Sequence, residues 1–338
     1  MGILEHVSLK KYNTFGIDAS ARFFMEVRSL EELRRVFMEK ALAGKRHLVL
    51  GGGSNVLFTG DFDGLVLRMC NEGKQVVERK TDSLVLKVEA GEDWDALVAW
   101  CVDQGWGGLE NLSLIPGQAG TSPMQNIGAY GVELKDVFHS LEAFEKKTGQ
   151  VRVFGPADCR FGYRDSYFKR EGRDLFVITS VCLKLSIGLH RVNTTYGALS
   201  HELKALGFEN PGIQEIRKAV VAIRQKKLPD PAILGNAGSF FKNPVVSLET
   251  FRRLQKAHPG LVAFPDQAGM KLAAGWLIEQ AGWKGYRKGD AGVHEHQALV
   301  LVNHGNATGE EIAALGMAVK ASVFEQFAVE LEPEVNII

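Results

Sequence analysis

The sequence feature that most constrains the fold is a run of three glycines between two short apolar segments. Residues 47–58 read HLVLGGGSNVLF, and Gly51, Gly52 and Gly53 directly follow an apolar run that is typical of a buried strand. Glycine allows backbone conformations that a Cβ forbids, and it lets a ligand approach the main chain closely. Successive N–H groups in such a turn can form a concave nest for an anion. We therefore predict that this loop, with Ser54 and Asn55, cradles a phosphate or pyrophosphate.

Two better-known phosphate-binding loops do not match this stretch. A Walker A loop ends in Gly-Lys-Ser/Thr, and no lysine follows the glycines here. The Rossmann fingerprint needs a third spaced glycine, where this chain has Val56. Considered by itself, the loop could equally be a tight turn between two strands that binds nothing.

The composition is that of an ordinary globular protein with many glycines. Hydrophobic residues make up 45% and charged residues 24% of the 338 residues, and 40 basic side chains balance 40 acidic ones. This balance argues against a nucleic-acid partner, and the length allows two or three domains. The 37 glycines suit a ligand-binding fold with many tight turns. No apolar run of about 18 residues and no signal-peptide core is present, so neither a membrane span nor export is expected.

The cysteine pattern predicts a reducing compartment. The four cysteines are Cys70, Cys101, Cys159 and Cys182. They show neither a Cys-x-x-Cys motif nor metal-ligand spacing, and free thiols of this kind are typical of the cytoplasm. The pair His294 and His296 has no third ligand at a suitable spacing, so no metal is expected.

The first two thirds of the chain alternate between strand and helix patterns. Apolar periodicity predicts strands over residues 22–27, 48–50, 64–69, 84–90, 137–145, 151–154 and 175–185, and helices over residues 29–43 and 94–104. Ser29 with Glu32 forms a capping-box pattern, and Asp93 is an N-cap candidate. A β-α-β unit with the phosphate loop after its second strand follows. Residues 109–131 show neither period, which predicts a buried loop whose backbone a bound ligand would satisfy.

The pattern changes after about residue 205, and the rest of the chain reads as a separate α+β unit. Helices are predicted over residues 214–226, 248–258, 273–280 and 309–327, and a buried strand over residues 296–303. The sequence LPDP at residues 228–231 is a rigid break between the two parts.

Three further clusters of polar residues could carry chemistry. They are CRFGYRDSYFK at residues 159–169, GNAGSFFKNP with two small-residue turns at residues 235–244, and LEPEV at residues 331–335. Each also has a structural explanation. Arg160 or Arg164 could pair only with Asp165, and Ser239 could only cap a turn. The glutamates of LEPEV could simply be solvated.

In this order, LGGGSNVLF, LSLIPGQAGTSPMQNIGAYG, CRFGYRDSYFK, GNAGSFFKNP and LEPEV resemble the bacterial UDP-N-acetylenolpyruvoylglucosamine reductases, flavoenzymes of peptidoglycan-precursor synthesis. YNTFGI at residues 12–17 and LAAGWLIEQAG at residues 272–282 also match that family. The resemblance covers nearly the whole chain, and five ordered motifs make it specific. It implies an α+β protein with a FAD-binding domain of the vanillyl-alcohol-oxidase type in two subdomains, followed by a C-terminal α+β substrate-binding domain.

The resemblance also implies domain bounds and cofactors. Residues 1–70 and 71–205 would be the two FAD-binding subdomains, residues 206–328 the substrate-binding domain, and residues 329–338 a strand that returns Glu334 to the active site. FAD would be bound noncovalently, because neither glycine-rich loop holds a His or Cys, and NADPH would be a co-substrate that uses the substrate's site in turn. The implied FAD-binding residues are Gly51, Gly52, Gly53, Ser54, Asn55, Val56, Leu57, Ile115, Pro116, Gly117, Gly120, Thr121, Ser122, Gln125, Asn126, Ile127 and Gly128.

The family's reaction assigns roles to three residues. NADPH reduces the flavin, flavin N5 gives a hydride to C3 of the enolpyruvyl group, C2 takes a proton, and UDP-N-acetylmuramate results. Arg164 would stabilise the enolate with its guanidinium, and Ser239 would deliver the proton to C2. Glu334 would assist either as a neutral hydrogen-bond donor or by orienting Arg164.

The resemblance further implies a set of substrate contacts. These are Tyr130, Tyr196, Arg224, Lys227, Asn243 and Gln297. Residues 190–210 resemble the inserted loop of the longer type within the family, which carries a tyrosine over the substrate. Without the family, Tyr196 would be interpreted as an ordinary exposed loop residue.

Two alternatives from other classes are weighed. A flavin oxidase of the same fold would need a base beside flavin N5, which Ser239, Arg164 and Glu334 do not obviously supply. A nucleotide-sugar-binding protein without catalysis is disfavoured because all three motif residues are present. The expected partners are small molecules only, with neither nucleic acid nor membrane, and the chain is expected to be a monomer.

Overall fold

The computed structural model describes residues 2–38 and 44–338, and these divide into two compact units. The first unit takes the described residues of Met1–His6, Arg22–Gly52 and Asp63–Lys226. The second takes Val7–Ala21, Gly53–Phe62 and Lys227–Ile338. The four-segment domain division expected from the resemblance stays a prediction.

The strands in chain order are β1 (Leu4–Ser8), β2 (Ser20–Val27), β3 (His47–Leu50), β4 (Val56–Leu57), β5 (Phe62–Met69), β6 (Lys74–Arg79), β7 (Ser83–Glu89), β8 (Trp106–Gly107), β9 (Gly128–Ala129), β10 (Val132–Glu133), β11 (Phe138–Glu145), β12 (Val151–Phe154), β13 (Phe176–Ile187), β14 (Gly235–Ser239), β15 (Val245–Val246), β16 (Ala263–Asp266), β17 (Gly269–Leu272), β18 (Arg287–Lys288), β19 (Ala291–Val293), β20 (Val300–Asn303) and β21 (Asn336–Ile337). The α-helices are α1 (Leu30–Met38), α2 (Trp94–Asp103), α3 (Pro156–Cys159), α4 (Gly197–Ala205), α5 (Ile213–Lys227), α6 (Leu248–Ala257), α7 (Ala274–Gln280) and α8 (Gly309–Phe327).

The first unit is built on two sheets. The larger has the order β12-β11-β13-β7-β6, with β8 beside β13, and its pairings are antiparallel. The smaller sheet has the order β1-β2-β5-β3, and most of its residues belong to this unit. Apolar side chains of β7, α2 and β13 fill one core, among them Leu86, Leu97 and Leu183, each fully buried. The α+β class predicted from the sequence is confirmed, as are the strands at 64–69, 84–90, 137–145, 151–154 and 175–185, with ends that move by one or two residues.

The predicted β-α-β succession is present as β2, α1 and β3, and both strands belong to one sheet. Strand β5 lies between β2 and β3 in the sheet, and it pairs in parallel with β3. The helix predicted over residues 29–43 is α1 as far as Met38, and residues 39–43 lie outside the described part of the chain. Ser29 caps this helix by accepting from the Glu32 N–H at 3.3 Å. The Glu32 carboxylate accepts from the N–H of Arg28 at 2.6 Å, one residue earlier than a capping box requires.

Residues 109–131 are more ordered than the sequence predicts. They contain short 3-10 turns at Glu110–Leu112 and Ala119–Thr121, and β9 pairs with β10. The protein itself satisfies much of this backbone, because Gly117 O accepts from the N–H of Trp94 at 3.0 Å and the N–H of Gly120 donates to Ala90 O at 2.9 Å. The protein therefore satisfies much of the backbone that a bound ligand was expected to satisfy.

The predicted insertion at residues 190–210 contains a helix. Helix α4 runs through it, and Leu199 and Leu203 pack with Ile216, Val220 and Ile223 of α5. Residues four apart lie on one face of a helix, so this pair of leucines gives α4 an apolar stripe. The expectation of a plain loop missed this signal.

The second unit holds two further sheets and a pair of short strands. Their orders are β14-β20-β19-β18, β15-β17-β16 and β21-β4. Helix α8 has the bounds predicted from the sequence, and it begins with a capping box between Thr308 and Glu311. Two predictions were wrong. Residues 235–239 form strand β14 rather than a turn, and the strand predicted to begin at His296 begins at Val300, whose N–H closes a turn on Gln297 O at 3.0 Å.

Several strands were not predicted at all. Among them are β1, β6, β16 and β17, which are short, partly exposed and poor in apolar alternation. Among residues 2–38 and 44–338, no helix combines the length and the apolar character needed to cross a membrane.

Candidate active site

Two glycine-rich stretches of the first unit, residues 51–52 and 117–121, lie in close contact. A Cβ at Gly51 would come within 2.5 Å of Thr121 Cγ2, and a Cβ at Gly52 within 3.2 Å of Gly117 Cα. The Gly117 main chain leaves little room for a side chain at Gly52, and the Thr121 side chain takes the place of a Cβ at Gly51. The predicted cofactor residues Gly51, Gly52, Gly117 and Thr121 are thus neighbours in the folded chain.

Gln118 lies at the same place and was not predicted as a site residue. Its amide Nε2 donates to Met69 O at 3.2 Å and to Gly91 O at 2.9 Å, which fixes the side chain. Its Oε1 is buried, and within the described residues no donor reaches it. A buried acceptor of this kind normally has a partner, and a ribose or ribityl hydroxyl would supply one. The bare glycine main chain and this free acceptor fit a dinucleotide such as FAD.

In the second unit, Gly53 continues the glycine loop in a left-handed conformation. Its φ is +64°, and a Cβ there would come within 2.0 Å of Tyr12 O. The Gly53 carbonyl accepts from the N–H of Thr14 at 3.1 Å. Strand β4, which holds the predicted contacts Val56 and Leu57, then pairs in parallel with β21. The three glycines are therefore needed for two reasons: other atoms lie close to Gly51 and Gly52, and Gly53 has a backbone conformation that side chains disfavour.

Arg164 sits at the end of the predicted flavin stretch. Its Nη2 donates to Gly128 O at 2.9 Å. Its backbone has a φ of +53°, which is uncommon for a residue with a side chain. Two bonds tie its segment to the flavin stretch, because Ser166 Oγ donates to Met124 O at 2.7 Å and Asn126 Nδ2 to Gly162 O at 3.0 Å. The chain thus holds a guanidinium beside residues 115–128.

The structural explanation first weighed for Arg160, a pair with Asp165, is wrong. Asp165 forms its ion pair with Arg170. Arg160 pairs instead with Glu171, with Nη1 and Oε1 3.1 Å apart and both side chains more than half exposed.

Tyr130, Tyr196 and Arg224 come together in the first unit. The rings of the two tyrosines meet edge to face with centroids 5.5 Å apart, and Arg224 shares a side-chain hydrogen bond with Tyr130. Burial lowers the pKa of Arg224, and the nearby charge of Arg164 lowers it further. Burial also raises the pKa of Tyr130. A second guanidinium close enough to lower the pKa of Arg224 favours an anionic ligand between or beside the two arginines.

Ser239 and Glu334 come together in the second unit. Ser239 is the last residue of β14 and pairs with Val300. The next residue, Phe240, accepts at its carbonyl from the N–H of Glu334 at 2.8 Å. A further bridge joins Phe241 to Pro333. The motifs GNAGSFF and LEPEV, almost a hundred positions apart, therefore lie side by side as antiparallel segments.

The two glutamates of LEPEV have different surroundings. Glu332 is exposed and forms an ion pair with Lys242, while Glu334 is half-buried. The solvated explanation therefore holds for Glu332 only.

Asn243 and Gln297 both lie at the beginning of α7. Asn243 Oδ1 accepts from the N–H of Ala274 at 2.9 Å. Gln297 Oε1 lies 3.2 Å from the position that a Cβ on Gly275 would take. The Asn243 oxygen thus has a structural partner, which leaves its amide nitrogen for a ligand. Lys227, the last residue of α5, is exposed.

The predicted site residues divide between the two units. The first holds Gly51, Gly52, Ile115, Pro116, Gly117, Gly120, Thr121, Ser122, Gln125, Asn126, Ile127, Gly128, Tyr130, Arg164, Tyr196 and Arg224. The second holds Gly53, Ser54, Asn55, Val56, Leu57, Lys227, Ser239, Asn243, Gln297 and Glu334.

Asp95 and Arg217 belong to the surroundings of the site and were not predicted. Arg217 Nη1 and Nη2 donate to the Asp95 oxygens at 2.6 and 3.2 Å, and the N–H of Leu114 donates to Asp95 Oδ1 at 2.6 Å. A usable signal is that Arg217 and Arg224 lie seven residues apart, which puts both on one face of a helix.

The histidine pair shows no metal geometry. The rings of His294 and His296 have centroids 5.6 Å apart. Across residues 2–38 and 44–338, no three His, Cys, Asp or Glu side chains converge as metal ligands. The four cysteines are free thiols.

Comparison with known protein families matches both parts of the chain. Residues 21–155 match a FAD binding domain, and residues 230–338 match the C-terminal domain of UDP-N-acetylenolpyruvoylglucosamine reductase. A UDP-N-acetylenolpyruvoylglucosamine reductase of Pseudomonas putida is 52% identical over 335 residues, covering 98% of each chain. One of Flavobacterium johnsoniae is 48% identical over 339 residues, covering 100% of each chain.

A solved structure agrees. The crystal structure of UDP-N-acetylenolpyruvylglucosamine reductase from Thermus caldophilus has a TM-score of 0.71 at 26% identity, covering 100% of this chain and 99% of that one. The fold and the glycine loops define a flavin-dependent oxidoreductase. Within that class, the chain belongs to the UDP-N-acetylenolpyruvoylglucosamine reductase family. It uses FAD, takes electrons from NADPH and serves peptidoglycan-precursor synthesis.

Proposed function

We propose that the chain reduces the enolpyruvyl group of UDP-N-acetylglucosamine enolpyruvate to give UDP-N-acetylmuramate, with Arg164, Ser239 and Glu334 as catalytic residues. The names of its relatives support the substrate. The observation that carries the catalytic assignment is the bond from Arg164 Nη2 to Gly128 O, which holds a guanidinium at the end of the flavin stretch.

Bound FAD supplies the redox chemistry, accepting two electrons from NADPH and passing them to the C2–C3 double bond of the substrate. Arg164 binds the carboxylate of the enolpyruvyl group. Negative charge spreads into that carboxylate during the reduction, and a fixed guanidinium stabilises it more in the transition state than in the ground state. Its bond to Gly128 O restricts the guanidinium, so little reorganisation is needed.

Ser239 delivers the proton to C2. A serine hydroxyl is a weak acid, so it serves this role only because the carbon it protonates is strongly basic and the hydroxyl is already in place. Glu334 assists at the same developing charge, either as a neutral hydrogen-bond donor or by orienting Arg164. The pairing of LEPEV with GNAGSFF supports a joint role, because it puts Glu334 beside the residue that follows Ser239.

The substrate carries a UDP diphosphate, which calls for cations and hydrogen-bond donors. We assign its binding to Tyr130, Tyr196, Arg224, Lys227, Asn243 and Gln297. The contacts among Tyr130, Tyr196 and Arg224 support this assignment. In particular, the edge-to-face contact puts Tyr196, from the segment that resembles the longer family type, against Tyr130. The FAD pyrophosphate and isoalloxazine are assigned to residues 51–57 and 115–128, because bare glycine main chain and a buried acceptor occur there.

We further propose that the enzyme works in the cytoplasm as a monomer, without nucleic acid or membrane partners. The four free thiols support a reducing compartment, and the equal numbers of basic and acidic residues support the absence of nucleic acid. Sedimentation of the purified holoenzyme tests the monomer, since a dimer would sediment at twice the mass.

Anaerobic stopped-flow absorbance tests the reaction. The flavin band of the purified holoenzyme should bleach on mixing with NADPH, and its absorbance should return on mixing with UDP-N-acetylglucosamine enolpyruvate. A flavin that NADPH does not bleach, or that recovers only with oxygen, would refute the reductase assignment and favour an oxidase of the same fold.

A further inference from the structure

Leu114, the residue directly before the predicted flavin stretch, has a left-handed backbone. Its φ is +57°, although it carries a branched side chain. Residues other than glycine avoid this region because the Cβ crowds the following carbonyl oxygen. Such a conformation persists only where the surroundings determine it, and it recurs where a loop must be aimed. What holds Leu114 therefore bears on how residues 115–128 are placed.

Charged side chains hold both polar groups of the Leu114 backbone. Its N–H donates to Asp95 Oδ1 at 2.6 Å, and its carbonyl accepts from Arg224 Nε at 3.1 Å. Hydrogen bonds with an ionised partner are about twice as strong as neutral ones. Both the N–H and the carbonyl of Leu114 are thus fixed by charge-assisted hydrogen bonds.

Both of these hydrogen bonds depend on arginines of helix α5. Arg224 acts directly, and Arg217 acts through Asp95, the second residue of α2, with two bonds at 2.6 and 3.2 Å. The two side chains of this pair are 26% and 20% exposed, which shields the bonds from water. Burial alone would raise the pKa of Asp95, but the bonds from Arg217 and from the Leu114 N–H outweigh it and hold the pKa below its usual value.

A simple ion pair between two helices would not require this arrangement. Asp95 Oδ1 accepts both from Arg217 Nη1 and from the Leu114 N–H, so the carboxylate joins α5 to the loop as well as to α2. Arg224 uses its Nε on the Leu114 carbonyl and also shares a side-chain hydrogen bond with Tyr130, so it links the loop to a proposed substrate contact.

We infer that Asp95 and Arg217 are positioning residues of this reductase: together with Arg224 they hold Leu114 in the left-handed conformation that aims residues 115–128 at the flavin. They also join that stretch to the end of α5 that carries Arg224. The inference rests on the proposed cofactor role of residues 115–128 and the proposed substrate role of Arg224.

Flavin release from the holoenzyme tests the inference in the absence of NADPH and substrate. The flavin fluorescence that appears after dilution gives the release rate, and the melting temperature of each holoenzyme gives its stability. Asp95→Ala removes both the charge and the acceptor, Asp95→Asn keeps an Oδ1 for the Leu114 N–H, and Arg217→Met keeps side-chain length without the fork. Asp63→Asn is the matched control, because it breaks another Asp–Arg pair of the first unit that is 81% and 55% exposed.

We expect release to be about tenfold faster in Asp95→Ala, with smaller increases in Arg217→Met and Asp95→Asn, and no change in Asp63→Asn. The KM for the UDP substrate should rise in Asp95→Ala, because Arg224 loses the fixed carbonyl that holds its Nε. A lowered melting temperature with unchanged flavin release in Asp95→Ala would mean a purely structural ion pair and would overturn the inference.

Leu114→Gly in the Arg217→Met background gives an independent rescue test, which also serves if Asp95→Ala does not fold. Glycine takes positive φ without strain, so the loop should need less support and release should slow toward the wild-type rate. Release that stays as fast as in Arg217→Met alone would overturn the inference. The reductase assignment is tested separately. It would be refuted if NADPH did not bleach the flavin of the wild-type enzyme.

Discussion

Asn55 Nδ2 donates a hydrogen bond to the main-chain carbonyl oxygen of Glu334, 3.2 Å away and 279 positions later in the chain. Asn55 also accepts from the same segment: the N–H and the side-chain Nδ2 of Asn336 both donate to Asn55 O, at 3.1 and 3.0 Å. A residue assigned to the cofactor and one assigned to catalysis are thus hydrogen-bonded to each other just before the paired strands β4 and β21 of the second unit.

Replacing Asn55 by alanine should therefore lower kcat. The variant removes the donor that holds the Glu334 carbonyl, and a hydrogen bond of this kind contributes about 1 kcal/mol, so a roughly fivefold fall is expected. Steady-state turnover with NADPH and the UDP substrate measures it. Asn306→Ala, on an exposed position of the same unit, should leave kcat unchanged. A kcat for Asn55→Ala equal to that of the control would show that the bond does not position Glu334.

Arg164→Lys should slow the second half of the reaction. A lysine keeps the charge but loses the planar fork that binds a carboxylate with two bonds. Loss of one preorganised donor at a developing oxyanion costs about 10²–10³ in rate. The rate at which NADPH bleaches the flavin should stay near the wild-type value, and the rate at which the substrate restores it should fall.

The control for this variant lies four residues earlier in the same motif. Arg160→Lys alters an exposed arginine whose partner is Glu171, and both half-reactions should keep their rates. If Arg160→Lys and Arg164→Lys slowed reoxidation equally, the loss would reflect a disturbed loop rather than a catalytic guanidinium.

Ser239→Ala should affect proton delivery alone. General acid catalysis by a placed side chain contributes about 10²–10⁴ in rate, so reoxidation by the substrate should slow by that factor while reduction by NADPH is unchanged. Deuterium from the solvent should still appear at C2 of the product if water takes over the proton transfer. A variant that reoxidises as fast as the wild type would remove Ser239 from the mechanism.

Much of the fold could be predicted because local signals and packing agree. Helix α8 has an apolar stripe and the predicted bounds Gly309–Phe327. Asp93 caps α2 through the Ala96 N–H at 2.8 Å, as its position before the helix suggested. Propensity, capping and periodicity all favour the same structure at these two helices, so the sequence suffices there.

The rest depends on partners far away in the chain. Strand β14, Gly235–Ser239, has no strand propensity, and it is extended because Asn236 pairs with Val302 and Ser239 with Val300. The contacts that hold Leu114 were likewise not predicted. Asp95 and Arg217 have the pattern of ordinary surface charges on two helices, and the shared helix face of Arg217 and Arg224 does not by itself indicate Leu114 as their target. The family resemblance supplied catalytic candidates, but it did not supply the residues that hold them.

Gly53→Ala should destabilise the second unit and weaken flavin binding. The residue has φ of +64°, and an added Cβ would fall 2.0 Å from Tyr12 O, which is backbone and cannot move aside easily. The strained backbone alone costs about 1–2 kcal/mol, and the clash adds to it. Gly60→Ala is the control, because that glycine has open space around it and no positive φ. Calorimetry of both holoenzymes measures the effect, and equal melting temperatures would refute the steric argument.

The pH dependence of the free energy of unfolding should show that the ionised carboxylate of Asp95 stabilises the folded protein. Its pKa in the folded chain lies below the ordinary value of 3.8. A carboxyl whose pKa is lowered by folding stabilises the protein above its unfolded pKa, and this stabilisation is lost as the pH falls through the folded value. Asp95→Asn should therefore be less stable than the wild type by about 1–3 kcal/mol at pH 7, the value typical of hydrogen bonds to charged groups.

The gap between the two proteins should narrow when urea unfolding is repeated near pH 3, below the ordinary pKa of an aspartate. Other carboxyls titrate in both proteins, so the difference between them isolates Asp95. Asp63→Asn shows what an exposed pair contributes, which is about 0–1 kcal/mol. A gap for Asp95→Asn that is the same at pH 7 and pH 3 would mean that the amide disturbs packing, and that the charge of Asp95 does not hold Leu114 in place.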